Sequence, residues 1–227
     1  MTAKDMFSHR VSILTGHYGT GKTEVSVNLA LALAAEGEQV MLADLDIVNP
    51  YFRSRERRPL LEKAGVRVIS SSQACSDADV PALPAELLTI LENREIRGIL
   101  DIGGDPVGAR VLARFQPKIV QEDYQLIFVL NANRPEVRDA ESAAAYLRSI
   151  EAVTGLTCSG LVNNTHLCGE TTPAEIRKGA ALAQEVSRQT GIPILCHTAE
   201  RRVLESLSDL GEPVFPIAIN MKKPWER

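Results

Sequence analysis

An eight-residue segment between an apolar run and a helical pattern carries three glycines, a lysine and two threonines. The glycines let successive backbone N–H groups point at the same phosphate oxygens. Lys22 can supply positive charge to the outer phosphates, and the Thr23 hydroxyl is an oxygen ligand suited to Mg²⁺. The spacing G-x-x-x-x-G-K-[ST] therefore predicts a nucleotide-binding loop. Its residues are Gly16, His17, Tyr18, Gly19, Thr20, Gly21, Lys22 and Thr23.

A second apolar run ends in an acid, in the segment GILDIGGD at 98–105. Mg²⁺ that is bound together with phosphates is usually held by one or two carboxylates, and Asp101 is placed to be one of them. Gly103 and Gly104 allow the backbone to shift as an outer phosphate comes and goes. The alternative role for an acid here is capping the next helix, which fits Asp105 because Pro106 follows it.

Two further acids end the run QVMLADLD at 39–46. Asp44 and Asp46 are two positions apart, so they point to the same side of a strand. Asp46 lies further out and is predicted to orient the attacking water, which makes it the catalytic partner of Lys22. Asp44 is predicted to support the metal or to anchor the following loop.

Four arginines follow within one predicted helix start, between positions 53 and 58. Such a run is most often a solvated helix face. The functional alternatives are charge stabilisation at the outer phosphate, or a docking patch for an acidic partner. The four are Arg53, Arg55, Arg57 and Arg58.

Eight short runs rich in Val, Ile and Leu alternate with helical patterns along the chain. Near-continuous apolar strands are typical of parallel strands that helices cover on both faces. The pattern predicts an α/β fold with a doubly wound, mostly parallel sheet, in one domain over residues 1–227. The runs lie at 11–16, 39–46, 66–71, 98–104, 126–132, 159–165, 193–198 and 213–219, and the helices at about 22–36, 54–64, 85–93, 107–115, 136–153, 173–190 and 200–210.

Composition narrows the class of protein. The net charge of −4 gives no general attraction to nucleic acid, and no apolar run is long enough to span a bilayer. The N-terminal segment lacks the apolar core of a signal peptide, and the four cysteines form no C-x-x-C pair. We therefore expect a cytoplasmic protein without a nucleic-acid partner.

The order GHYGTGKTEVSVNLALALAAEGEQVMLADLD, then DIGGD, then LVNN, resembles the MinD/ParA group of P-loop ATPases, within the CobQ/CobB/MinD/ParA nucleotide-binding family. This resemblance implies ATP and Mg²⁺ as cofactors, with ADP as product. It places Asp44 and Asp46 in switch I and Asp101 at the start of switch II. It also implies that Asn163 contacts the base, while the stretch at Thr198 forms the other wall of the base pocket.

The alternative for Asn163 is a turn-forming role. ATP is favoured over GTP because the chain has no N-K-x-D guanine signature.

The loop departs from the group at two positions. The group carries a second lysine directly after the first glycine, where it reaches the nucleotide of a facing subunit, whereas this chain has His17, followed by Tyr18. The resemblance therefore does not carry the ATP-dependent homodimer over to this chain. Nor does the terminal INMKKPWER have the length or apolarity of a membrane-targeting helix.

Three functions are compatible with these residues. The first is a Mg²⁺-dependent ATPase, slow on its own, whose conformation is read by an unidentified protein partner. The second is an enzyme of the dethiobiotin synthetase or cobyrinate amidation type, which activates a carboxylate substrate and could use Arg53 to Arg58 to bind it. The third is a module that holds ATP without hydrolysing it.

Overall fold

A computed structural model of the chain describes residues 1–46, 54–70 and 83–221. Eight strands lie in this part of the chain, one for each apolar run. They are β1 (Val11–Thr15), β2 (Gln39–Asp44), β3 (Arg67–Ser70), β4 (Ile96–Asp101), β5 (Tyr124–Leu130), β6 (Cys158–Asn163), β7 (Ile194–Glu200) and β8 (Val214–Ile217).

All eight strands form one sheet in the order β3-β2-β4-β1-β5-β6-β7-β8. Every neighbouring pair is parallel. The predicted α/β fold is confirmed, and the sheet is parallel throughout the described residues rather than mostly so. Because the strands are parallel, the ends of β1, β2 and β4 meet at one edge, where the nucleotide-binding loop and the three candidate acids lie.

The core lies on both faces of the sheet. Successive strand residues alternate between the two faces, so Ile13 belongs to one hydrophobic cluster and its neighbour Leu14 to the other. On β4, Leu100 and Ile99 divide in the same way. The apolar runs are continuous because both faces are covered.

Eight α-helices accompany the strands in the described residues. They are α1 (Ala3–Met6), α2 (Lys22–Ala35), α3 (Arg58–Lys63), α4 (Leu83–Glu92), α5 (Pro106–Ala109), α6 (Gln116–Ile119), α7 (Ala140–Thr154) and α8 (Pro173–Thr190). Four 3₁₀ segments complete the set, at Ser54–Arg57, Arg110–Arg114, Pro135–Val137 and Arg201–Leu207.

The helix predictions differ from the structure in two respects. The pattern at 200–210 forms a 3₁₀ helix, and those at 54–64, 107–115 and 136–153 begin or end in one. The short helices α1 and α6 were not predicted, although α1 has a capping box in which Thr2 and Asp5 satisfy each other's backbone N–H groups. The single domain over residues 1–227 stays a prediction.

Gly179 sets how closely α8 approaches the end of β6. A Cβ at this position would lie 2.1 Å from Asn163 Oδ1 and 2.1 Å from Thr165 Oγ1. The Asn163 side chain in turn donates to the Ile176 carbonyl of α8 over 3.0 Å. The helix and the strand end are therefore joined at a contact that only glycine fits.

We expect Gly179→Ala to lower the free energy of unfolding by about 1–3 kcal/mol, because the added methyl group overpacks this contact. Alanine's better helix propensity, worth about 1 kcal/mol, works against this loss. Urea unfolding of the variant and the parent measures the difference. Gly211→Ala is the control, because a Cβ there meets nothing within 4 Å. Equal losses in the two variants would contradict the expectation.

Candidate functional site

The predicted nucleotide-binding loop leaves β1 after Thr15 and enters α2 at Lys22. Gly16 and Gly21 have φ values of 142° and 85°, and a Cβ there would lie 2.4 Å from the Val129 carbonyl oxygen and 2.2 Å from Asn164 Nδ2, respectively. Within the loop, the Thr20 N–H and hydroxyl both donate to the His17 carbonyl, over 3.2 and 2.9 Å. The glycines are thus required both by backbone conformation and by close neighbours.

Lys22 is buried, and its Nζ donates to the His17 carbonyl over 3.3 Å. Burial lowers the pKa of Lys22, while the charges of Asp101, Asp46 and Asp105 oppose that change. A buried ammonium with few hydrogen-bond partners is poorly solvated. The position therefore favours an anion beside the loop.

Asp101 and Asp44 end β4 and β2 in register with one another, and both are buried. Burial, with the nearby charge of Asp44, raises the pKa of Asp101 to about 7, while Lys22 and the Thr23 hydroxyl oppose the rise. In the described part of the chain, neither oxygen of Asp101 makes a hydrogen bond of good geometry. Two buried acceptor atoms without such a bond are unusual in a folded protein and fit a site for a cation.

Asp44 has one oxygen engaged and one unpartnered among the described residues. Its Oδ2 accepts the Arg55 N–H over 3.2 Å, and Arg55 Nε lies 3.5 Å from the same oxygen. Burial raises the pKa of Asp44, which the contacts with Arg55 oppose. This geometry supports the loop-anchoring alternative for Asp44.

Asp46 is more exposed than the other two acids and lines a cavity beside the nucleotide-binding loop. Its Oδ1 would lie 3.6 Å from a Cβ on Gly103, so it faces the loop that follows Asp101. Asp105 caps α5 by accepting the Gly108 N–H over 2.7 Å, as its position before Pro106 predicts. The catalytic role of Asp46 stays a prediction.

A cavity of about 570 Å³ opens beside the loop. Tyr18, Gly19, Gly21, Lys22 and Thr23 line one end, whereas Gly16, His17 and Thr20 are not among the lining residues. Apolar and polar side chains from the ends of β6, β7 and β8 line the other end. They include Asn164, Thr165, Thr198, Ala199, Glu200, Ile217, Ile219 and Met221.

The structure corrects the placement of Asn163, which does not line the cavity. Its side chain is fully buried, donates to the Ile176 carbonyl and contacts His197 Nδ1 over 3.1 Å. The next residue, Asn164, lines the cavity instead. Its Nδ2 donates to the Thr20 carbonyl over 2.8 Å, and its Oδ1 accepts the Thr198 hydroxyl over 2.5 Å. Asn163 therefore holds the fold together at the end of β6.

Among the cavity residues that the sequence analysis did not name are Arg134 and His166. Arg134 follows β5 and donates from Nε to the Gly19 carbonyl over 2.7 Å. His166 accepts the Cys168 N–H at Nδ1, while its Nε2 is buried and has no partner among the described residues. Burial and the charge of Arg134 lower the pKa of His166 to about 4. The signal for Arg134 was its place directly after the strand LIFVLNA, at the same edge of the sheet as the loop.

Two arginines of the run, Arg55 and Arg58, make contacts within the chain. Arg55 pairs with Asp44, as described above, and Arg58 pairs with Glu62 over 3.1 Å and donates to the Ser70 hydroxyl over 3.1 Å. Arg53 lies outside the described residues. The geometry therefore favours a structural role for Arg55 and Arg58.

His17 and Tyr18, the two departures in the loop, point in different directions. The His17 ring packs edge to face on the Tyr146 ring, with centroids 4.9 Å apart, and its Nδ1 lies 3.9 Å from the Glu136 carboxylate. Tyr18 is 54% exposed and lines the cavity mouth. His17 is thus held against its own chain.

No group of three or more His, Cys, Asp or Glu side chains could hold a metal by itself within the ranges 1–46, 54–70 and 83–221. Nor is any described helix long and apolar enough to cross a membrane.

The N-terminal part of the chain matches a known protein family. The family model described as ParA, NUBPL iron-transfer P-loop NTPase, matches residues 6–54. The septum site-determining protein MinD of Helicobacter pylori is 24% identical over 239 aligned positions, covering 96% of this chain and 87% of MinD. The chain is similar to the MinD/ParA group of P-loop NTPases.

Shorter matches are to proteins of iron–sulfur cluster assembly and transport. The cytosolic Fe-S cluster assembly factor cfd1 of Emericella nidulans is 36% identical over 95 residues, which cover 42% of this chain and 26% of cfd1. The iron-sulfur cluster carrier protein of Escherichia coli K12 is 50% identical over 40 residues, or 18% of this chain and 11% of the carrier. The matched region is thus a small part of either relative.

Solved structures of low sequence identity share the fold of this chain. The signal recognition particle 54 kDa protein from Aeropyrum pernix K1 has a TM-score of 0.54 at 24% identity, covering 82% of this chain and 40% of its own. FtsY from Thermotoga maritima has a TM-score of 0.56 at 22% identity, covering 81% of this chain and 59% of its own. At these identities the likeness concerns the fold alone.

We expect Asp101→Asn to stabilise the folded protein more at pH 8 than at pH 5. The pKa of Asp101 is raised from 3.8 to about 7 in the folded protein, so the folded state binds more protons than the unfolded state between these values. Stability from this group is therefore full below about pH 4 and falls as pH rises through about 7. The asparagine variant lacks that fall. The thermal unfolding midpoints of the variant and the parent, measured without nucleotide at pH 5 and pH 8, give the stabilisation at each pH. The same midpoint difference at both pH values would contradict the expectation.

Proposed function

We propose that this chain is a Mg²⁺-dependent ATPase whose bound nucleotide sets a conformation that a protein partner reads. The observation that carries the proposal is the buried Lys22 ammonium at the loop, beside an Asp101 carboxylate whose two buried oxygens have no well-formed hydrogen bond among the described residues. A phosphate with a bound Mg²⁺ satisfies both groups at once. The resemblance to MinD over 96% of the chain supports the same function.

The residues present fit the implied metal. The Thr23 hydroxyl and the free oxygens of Asp101 are hard oxygen donors, and Asp44 keeps one unpartnered oxygen beside them. When bound, Mg²⁺ neutralises charge on the phosphates. Lys22 holds the outer phosphate, and Asp46, which lines the cavity, orients the attacking water.

Arg134 provides a further positive charge at the cavity. Its Nε is fixed by the Gly19 carbonyl, and no carboxylate within the described ranges forms an ion pair with it. A guanidinium held in this way has terminal N–H groups that can donate to an anion. Its flat face can also stack on a base. We propose that Arg134 contacts the nucleotide in the same subunit.

Asn164 replaces Asn163 in the proposed base contact. One Asn164 N–H is used by the Thr20 carbonyl, and Oδ1 accepts from Thr198, which fixes the amide at the cavity wall. An asparagine amide has two donor hydrogens and two acceptor positions, so one of each stays available to the base. Thr198 thus acts through Asn164 as well as lining the wall.

The alternatives lead to different measurements. A carboxylate-activating enzyme would turn over only with a small acid substrate, and the internal pairing of Arg55 and Arg58 leaves fewer cations to bind one. A module that does not hydrolyse ATP would release no phosphate in a single turnover. An iron–sulfur role is suggested by the relatives alone; of the cysteines in the described part, Cys158 and Cys196 are buried and Cys168 stands in the cavity wall.

We further propose a cytoplasmic location, with no nucleic-acid partner. The protein partner is unidentified.

We expect Lys22→Ala to weaken MgATP binding by roughly tenfold to a hundredfold, since a hydrogen bond to a charged group contributes about 1.5–3 kcal/mol. Titration calorimetry with MgATP measures the affinity, and phosphate release measures turnover in the same samples. Lys118→Ala is the control, because Lys118 is an exposed lysine paired with Glu92 on another surface. Unchanged binding in Lys22→Ala would reject the proposed function.

We expect the parent to bind ATP more tightly than GTP, and Asn164→Ala to narrow the gap. Loss of the amide leaves a polar edge of the base unpaired, at a cost of about 1–3 kcal/mol. Competition binding of the two nucleotides measures the gap in both proteins. Asn93→Ala serves as the control, because Asn93 precedes β4 at the opposite edge of the sheet. Equal affinity of the parent for ATP and GTP is the contrary result.

A further inference from the structure

The Tyr146 side chain joins two parts of the site that are distant in sequence. Its hydroxyl donates to the Gly104 carbonyl over 2.5 Å, in the loop that follows Asp101. Its ring packs edge to face against His17 at 4.9 Å and stacks on Phe128 at 6.2 Å. One aromatic side chain therefore contacts both the nucleotide-binding loop and the glycine pair.

Tyr146 is held firmly for this contact. It lies in the middle of α7, between the buried residues Ala143 and Leu147, and Asp139 caps the start of the helix by accepting the Ser142 N–H. Burial, with the charge of Asp105, raises the pKa of Tyr146 well above its ordinary value. The hydroxyl thus stays protonated and able to donate.

Gly104 lies directly against the groups that would bind an outer phosphate. A Cβ on Gly104 would be 2.8 Å from Lys22 Nζ and 2.9 Å from the Tyr18 backbone nitrogen. An outer phosphate oxygen that approaches the ammonium from this side needs the space in which the Gly104 backbone lies. The Gly104 backbone therefore occupies the space beside the ammonium on the side of Tyr18.

We propose that Tyr146 is a positioning residue that sets the preference between ATP and ADP. Its hydroxyl holds the Gly104 carbonyl so that the segment lies against Lys22 and Tyr18, and the third phosphate of ATP displaces the segment and breaks this hydrogen bond. The inference rests on the proposed function, because it requires that the cavity binds a nucleotide.

His17 has a defined place in this arrangement. His17 occupies the position at which the MinD/ParA group carries a second lysine. Its side chain packs on Tyr146 and is only 23% exposed. The ring supports the tyrosine from the side of the loop. His17 thus acts inside its own subunit, through Tyr146.

Tyr146→Phe tests the inference because it removes the hydroxyl and keeps the ring contacts. One hydrogen bond of this kind changes an equilibrium constant by a factor of about two to ten. We therefore expect the variant to bind MgATP more tightly than the parent by that factor, and to bind MgADP within about twofold of the parent's affinity. Titration calorimetry with each nucleotide measures both. Tyr124→Phe is the matched control, as its hydroxyl accepts the Thr157 N–H at the opposite end of β5 and should change neither affinity.

The outcomes separate the two proposals. If the parent binds neither nucleotide, the proposed function fails. If the parent binds both but Tyr146→Phe changes ATP and ADP affinity equally, leaves both unchanged or weakens ATP alone, the positioning role is overturned. Amide hydrogen exchange in the parent gives a test that needs no variant: residues 102–105 should exchange faster with MgATP than with MgADP, and equal or slower exchange would overturn the inference.

Discussion

The opposing charges of Lys22 and Asp101 are both buried at the carboxyl edge of the sheet, and the rest of the site is arranged around them. Burial disfavours each charged form, which lowers the pKa of Lys22 and raises that of Asp101. Within the described ranges, neither charge is fully compensated by hydrogen bonds, because Lys22 donates to the His17 carbonyl alone and Asp101 has no well-formed hydrogen bond. A bound anion and cation together relieve both penalties, so ligand binding and the stability of this edge are linked.

The surroundings of this pair divide into fixed and movable parts. The glycines of the loop and the ends of β2 and β4 are fixed by sheet pairing and by close backbone contacts. Asp44 ties the chain after β2 to the sheet through Arg55. The Gly103–Gly104 segment follows the buried Asp101, and its Gly104 carbonyl accepts the Tyr146 hydroxyl. By the proposed positioning role, this segment is the part that shifts when a third phosphate binds.

The end of the cavity at which we propose that the base binds depends on two adjacent asparagines with different tasks. Asn163 is part of a buried network in which His197 Nε2 also contacts the Glu212 carboxylate over 3.1 Å. Asn164 is turned to the cavity and is fixed between the loop and β7. The buried network below holds the strand ends in place, and this in turn aims the amide above.

The sequence by itself determined the fold class, the eight strands and the nucleotide-binding loop, because apolar runs and glycine spacing are local patterns with local physical causes. It also indicated the role of Asp105, since a helix cap is a contact between near neighbours. The tertiary structure decided which asparagine faces the cavity, because successive residues of a strand point to opposite sides and a shift of one residue exchanges them. It alone brought Arg134 to Gly19, across 115 positions, and Tyr146 to Gly104. Such contacts depend on strand order and helix packing, and no local periodicity of the chain encodes them.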